Sequence, residues 1–279
     1  MRKILIGIIL LFASMAVIAS GSSDMEAVEK ASLHYIEGFY EGDPAKLKAC
    51  LIPELNKHGY YKRKGTDKYV PAGDFPFTKA LTYAENVRAK KDFAKPGSPK
   101  EVEVLGLSNK IAITKVTANW GIDYMLLAKN DGKWMIRQIL WEGPDRTSNP
   151  TETDKKSAMQ TGLNYIEAFY EGNEAKLRSA LKPTMYKWGY SLDRKTGKYK
   201  KGKQMTFKMA LGFLEGVRKG EWKPKPGAPK KVEVLDVMNH IAAIKVTAAW
   251  GIDYMLLSRD GDKWITEHVI WSSIPKKKA

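Results

Sequence analysis

Apolar positions change their period along the first half of the chain, and the second half repeats the change. Leu33, Ile36 and Phe39 recur at steps of three, the stripe of an amphipathic helix, and predict a first helix over residues 25–41. Gly42 suits its C-terminal end. Asp43 caps a short second helix with Leu47 and Leu51 as its apolar face, and Pro53 stops it. A polar, Lys-rich stretch from Gly59 to Tyr69 predicts a short strand pair or a loop. A third helix is predicted over 77–90, and Lys95-Pro96-Gly97-Ser98-Pro99 breaks the chain. The period then falls to two. Strands are predicted over 101–107, 111–120, 122–129 and 134–141, with turns at Ser108-Asn109 and Asn130-Asp131-Gly132.

The same series returns 130 residues on, with Trp120-Gly121-Ile122-Asp123-Tyr124-Met125-Leu126-Leu127 repeated unchanged from Trp250 to Leu257. Two long units indicate a duplicated domain, because a solenoid needs three or more short ones. Helices followed by antiparallel strands predict an α+β fold. The expected division is a signal peptide over 1–22, a first domain over 23–143, a linker over 144–154, a second domain over 155–275 and a basic tail over 276–279. The linker is read from Gly143, Pro144, Asn149 and Pro150.

Composition changes this picture little. The chain of 279 residues is 43% hydrophobic and 28% charged, a globular profile. Arg2 and Lys3, an apolar run over 4–18 and the small residues Ala19, Ser20 and Gly21 suit an export signal cleaved near Ala19. The expected location is therefore periplasmic or extracellular, with no transmembrane span after signal removal. Cys50 is the single cysteine, so no internal disulfide is expected, and Ala180 in its place in the second copy marks it as a small core residue. A net charge of +16 gives a basic surface. No nucleic-acid motif accompanies it, so no nucleic-acid partner is expected.

Candidate chemistry comes from comparing the copies. Asp123 and Asp253 interrupt apolar strands, where a carboxylate costs free energy unless paired or solvated. They are the candidate catalytic residues, as general bases in a pocket, against the reading that they pair with a lysine such as Lys115. Tyr124 and Tyr254 fall on the opposite strand face, so Asp and Tyr of one copy cannot both line a pocket, and one of the two faces outward, into a contact between the two sheets. Tyr35, Tyr40, Tyr60 and Trp120, with Tyr165, Tyr170, Tyr190 and Trp250, are the candidate pocket residues. Trp134 and Trp141 are read as core. His34, His58, His240 and His268 have no histidine counterpart in the other copy, which argues against a duplicated metal or histidine acid–base site. No metal and no cofactor is expected.

Several motifs resemble one family. Phe39-Tyr40-Glu41-Gly42-Asp43 and Leu51-Ile52-Pro53-Glu54-Leu55 are similar to its helix-one and Leu-x-Pro-x-Leu segments. Trp120, Asp123 and Tyr124, then Gly132, Trp134 and Ile136, then Leu140 and Trp141 are similar to its strands, and Trp250, Asp253, Tyr254, Trp264, Ile270 and Trp271 repeat the pattern. The chain thus resembles the Putative lumazine-binding family, within the nuclear-transport-factor-2-like (SnoaL-like) superfamily. The resemblance implies two tandem cone-like domains, each of three helices on a strongly bent, mostly antiparallel sheet of four strands. Each would hold a pocket, and the domains would pack as an intramolecular pseudo-dimer. The superfamily contains isomerases, dehydratases and binding modules. The leading expectation is an exported, non-enzymatic module for a small apolar or aromatic ligand. An isomerase- or dehydratase-like enzyme with an Asp base is the alternative, and an envelope adaptor for anionic polymer a second.

Overall fold

The computed structural model describes residues 15–144 and 150–275. The expected signal lies mostly outside the described residues, as do the basic tail and part of the linker. Helix α1 (Met15–Tyr40) already begins at Met15 and runs across the expected cleavage point. Among the described residues no helix is long and apolar enough to cross a membrane.

In the first copy α1 is followed by α2 (Pro44–Cys50), β1 (Leu51–Lys62), β2 (Tyr69–Pro71), α3 (Phe77–Lys90), β3 (Glu101–Leu107), β4 (Ile111–Ala118), β5 (Gly121–Asn130) and β6 (Lys133–Glu142). Asp43 caps α2 by accepting from the Ala45 amide at 2.9 Å. The second copy repeats the order: α4 (Glu152–Glu171), α5 (Glu174–Ala180), β7 (Leu181–Leu192), β8 (Tyr199–Lys201), α6 (Phe207–Arg218), β9 (Lys231–Val237), β10 (Ile241–Ala248), β11 (Gly251–Asp260) and β12 (Lys263–Ser272). Thr151 and Asp154, inside the expected linker, form a capping box for α4.

Each copy carries one six-stranded sheet, in the order β2-β1-β6-β5-β4-β3 and β8-β7-β12-β11-β10-β9, two strands more than expected. The addition begins at Leu51, which opens a twelve-residue strand instead of closing α2. β1 runs parallel to β6, and β7 to β12, while every other pairing is antiparallel. Pro53 is tolerated because the register with β6 shifts between Leu51 and Asn56. Further shifts fall at Val104/Gly106 and Leu126/Leu127, and such irregularities bend a sheet. Gly121 makes the β4–β5 turn with φ +122, and a Cβ there would lie 2.0 Å from the Glu142 carbonyl oxygen.

The helices cover one face of each sheet. Tyr35, Ile36, Phe39, Leu47, Met125 and Ile139 belong to the first core, and Tyr165, Ile166, Phe169, Leu177, Met255 and Val269 to the second. The other two sheet faces pack together. Ile113, Tyr124, Leu126 and Leu140 meet Ile241, Ala243, Tyr254 and Leu256 in a third apolar cluster. The two copies form an intramolecular pseudo-dimer, sheet against sheet.

Candidate functional site

Between helix and sheet each copy keeps a hollow. The first, about 170 Å³, is walled by Tyr35 and Phe39 of α1, Lys57 of β1, Phe75, Tyr83 of α3, Trp120 and Trp141. The second, about 250 Å³, is walled by Tyr165, Phe169, Lys187, Met205, Phe213, Trp222, Trp250 and Trp271. Aromatic edges dominate: Trp120 makes edge-on contacts with Tyr35, Phe39 and Tyr40.

One polar cluster stands in each wall. Asp123 is fully buried. Its Oδ1 accepts from Lys57 Nζ at 2.5 Å and from Tyr35 Oη at 3.2 Å, and its Oδ2 accepts from Trp120 Nε1 at 2.5 Å. Lys57 also donates to Tyr35 Oη at 2.7 Å. In the second copy Asp253 accepts from Lys187 at 3.1 Å, Tyr165 at 2.9 Å and Trp250 at 2.6 Å, and Lys187 donates to Tyr165. Burial drives the Lys57 and Lys187 amines below the usual lysine range, partly opposed by the adjacent carboxylate. Burial, reinforced by the same carboxylates, holds Tyr35 and Tyr165 well above the usual phenol range, so both stay neutral donors.

The predicted residues therefore divide. Tyr35, Tyr165, Trp120 and Trp250 stand at the hollow. Asp123 and Asp253 lie behind its wall, each with both oxygens occupied by donors, so they reach the hollow only through the lysine and the tyrosine. Tyr40 donates to the Pro99 carbonyl at 2.6 Å and accepts from the Asn119 amide at 2.7 Å. Tyr170 does the same with Pro229 and Ala249, so this pair braces the turn carrying Trp120 or Trp250.

Tyr60 and Tyr190 are on the wrong face for the hollow. Alternation sends Lys57 inward and Tyr60 toward the second sheet, where Tyr60 donates to Glu267. Lys115 is opposite Tyr124, not Asp123, in its strand's inter-sheet face, and pairs with Asp236 at 2.5 Å. Tyr124 also reaches Asp236, at 2.8 Å, across the domain contact, so of the alternating pair it is the tyrosine that faces the second sheet. Trp141, read as core, walls the hollow, while Trp134 is core.

Lys57 and Lys187 escaped the sequence reading. The signal was present: both copies keep one lysine at the same place between apolar residues, Leu55 and Gly59 or Met185 and Gly189. Without a recognised strand there, the period that turns it inward was invisible. Three of the unmatched histidines also share one place. His58 and His268 rings lie 4.6 Å apart and His240 stacks on Tyr69, all between the sheets.

A search among curated proteins gives no match. Solved structures similar to this chain include a nuclear-transport-factor-2-like protein of unknown function from Shewanella baltica, 18% identical over 46% of this chain and 100% of its own, TM-score 0.34. Another, from Novosphingobium aromaticivorans, is called a putative scytalone dehydratase, and is 13% identical over 48% of this chain and 97% of its own, TM-score 0.33. Two segments of the chain, 23–142 and 153–272, match the Putative lumazine-binding family, and the chain belongs to that family as two tandem copies.

Proposed function

We propose that the chain is an exported, non-enzymatic binding protein whose two hollows each take a small planar ligand. The ligand would carry a hydrogen-bond acceptor or a negative charge toward Lys57 or Lys187. One observation carries the reading: each hollow is walled by aromatic rings and offers a buried amine and a phenol, while the carboxylate that a base mechanism needs is withdrawn behind them. A cavity of about 150 Å³ takes one benzene-sized ring. The first hollow matches a single ring and the second leaves room for more. Phe75 and Tyr83 become Met205 and Phe213, and Asp92 becomes Trp222 in the second copy, so the two hollows would differ in ligand. The leader-like residues 1–22 support export.

The test is quenching of Trp120 and Trp250 fluorescence by lumazine and by single-ring aromatic acids. Lys57→Met and Lys187→Met should each weaken binding in their own copy about tenfold or more, the value of one charged hydrogen bond. If no planar acceptor quenches the native protein, or if both variants bind as it does, the reading fails.

A further inference from the structure

We propose that Lys57 and Lys187 capture small aromatic aldehydes covalently and reversibly, as imines formed inside the two hollows. The proposal rests on the reading of the hollows as ligand sites and names the ligand chemistry. Lys57 Nζ lies 2.5 Å from Asp123 Oδ1 and 2.7 Å from Tyr35 Oη. An ammonium has three N–H directions. Two are taken by Asp123 and Tyr35, and Lys57 lines the cavity. The same amine, phenol and carboxylate stand together in the second copy.

A lysine becomes a nucleophile when its surroundings disfavour the ammonium. Here apolar burial does so, and the carboxylate beside it receives the proton. The step balances without an added reagent. Lys57 passes one proton to Asp123, and its nitrogen bonds the carbonyl carbon as the carbon–oxygen π bond breaks, giving a carbinolamine. That hydroxyl leaves as water, taking a proton through Tyr35 or Asp123. Ammonium plus aldehyde becomes iminium plus water: the pair is neutral in the carbinolamine, and loss of water restores the positive charge opposite the Asp123 carboxylate. The roughly one-ring size of the first hollow, judged against the ~150 Å³ that holds benzene, favours an aldehyde on a single aromatic ring.

The full chain is treated with benzaldehyde and cyanoborohydride at neutral pH, which fixes any imine as a benzylamine, and labelled peptides are mapped by mass spectrometry. In parallel, benzyl alcohol, of the same shape but without a carbonyl, is titrated against tryptophan fluorescence. Expected is labelling of Lys57 and Lys187 severalfold faster than of exposed Lys64 and Lys90, since burial lowers the amine pKa and the hollow holds the aldehyde beside the nitrogen. Benzyl alcohol should suppress that labelling. Lys57→Arg, which keeps the charge opposite Asp123, should remove label at 57 and leave it at 187. Quenching by benzyl alcohol with labelling no faster than at exposed lysines would overturn the imine while leaving the binding reading intact. Neither quenching nor selective labelling would overturn both.

Discussion

Removing Asp123 should be among the most damaging single changes in the first domain. Asp123→Ala strips the partner from a buried ammonium, and breaking a buried ion pair by removing one member costs about 3–5 kcal/mol. Tyr35 and the Trp120 indole lose an acceptor as well. Tyr35 still accepts from Lys57, and water entering the hollow can reach the indole, so the total should stay within that range. Lys57→Met leaves Asp123 with two donors in place of three and should cost a similar amount. The double change Asp123→Ala with Lys57→Met removes both charges and combines the two single changes. It should cost about 2 kcal/mol or more less than the sum of the singles, since residues in contact couple by up to about 3 kcal/mol. Urea titrations followed by circular dichroism and tryptophan fluorescence measure all three. The Asp253 and Lys187 variants give an independent repeat in the second domain. Additive losses below about 1 kcal/mol each, the range of an exposed pair, would show that the pair is solvated and the wall of the hollow is not as described.

Three further outcomes follow from other contacts. Burial lowers the His240 pKa from 6.5 to about 4. Its folded value lies below its unfolded one, so the unfolded chain binds more protons in that window: the contribution is complete above pH 6.5 and is lost as pH falls toward about 4. His240→Asn should flatten this part of the stability–pH curve, and an unchanged slope would refute the assignment. Glu267 accepts from His58 at 2.6 Å and Lys182 at 3.1 Å, and also from Tyr60 and Ser258. Glu267→Arg should cost about 3–5 kcal/mol by urea titration, and a loss below about 1 kcal/mol would show that the sheets do not meet in solution. A Cβ on Gly59 would fall 2.2 Å from the Trp141 carbonyl oxygen and 2.4 Å from its ring. Gly59→Ala should therefore displace Trp141, cost about 1–3 kcal/mol and alter binding in the first hollow only, with native-like stability and binding counting against the close approach.

The sequence made the duplication, the helices and the last four strands of each copy visible because each has a clean period. It hid β1 and β7 because Pro53 and Pro183 sit where a central strand does not normally accept proline, and the local register shift that accommodates them is a tertiary event. That one omission cost both lysines and misplaced Tyr60 and Tyr190. The Asp–Tyr alternation was legible from strand geometry alone, whereas the partner of Asp123 was not. Lys57 is 66 positions away in the chain, and only closure of a parallel β1–β6 pair brings it in.

The polar cluster of each hollow is the same in both copies, whereas several charged and polar positions between the sheets are not. Facing the hollows, Tyr35, Lys57, Trp120, Asp123 and Trp141 recur unchanged as Tyr165, Lys187, Trp250, Asp253 and Trp271. Facing the partner sheet, Ile52, His58, Lys110, Arg137 and Gln138 become Lys182, Trp188, His240, Glu267 and His268. In a dimer of identical domains a two-fold interface sets the same patch against itself, so every contact must be self-complementary. Fusion removes that condition. Buried Glu267 now meets His58 and Tyr60 of the first copy, whereas its counterpart Arg137 lies over the Trp188 ring of the second. Two first copies would set the Arg137 guanidinium against the His58 imidazole twice, without the carboxylate. Two second copies would set Glu267 against Trp188 in place of the His58 imidazole, leaving it Lys182 and Ser258 of its own copy. Only first against second pairs the acid with its base and the guanidinium with its ring. The contact thus discriminates against both self-pairings by the partners each buried charge would lose, while Tyr35, Lys57, Trp120, Asp123 and Trp141 at the first hollow have identical counterparts at the second.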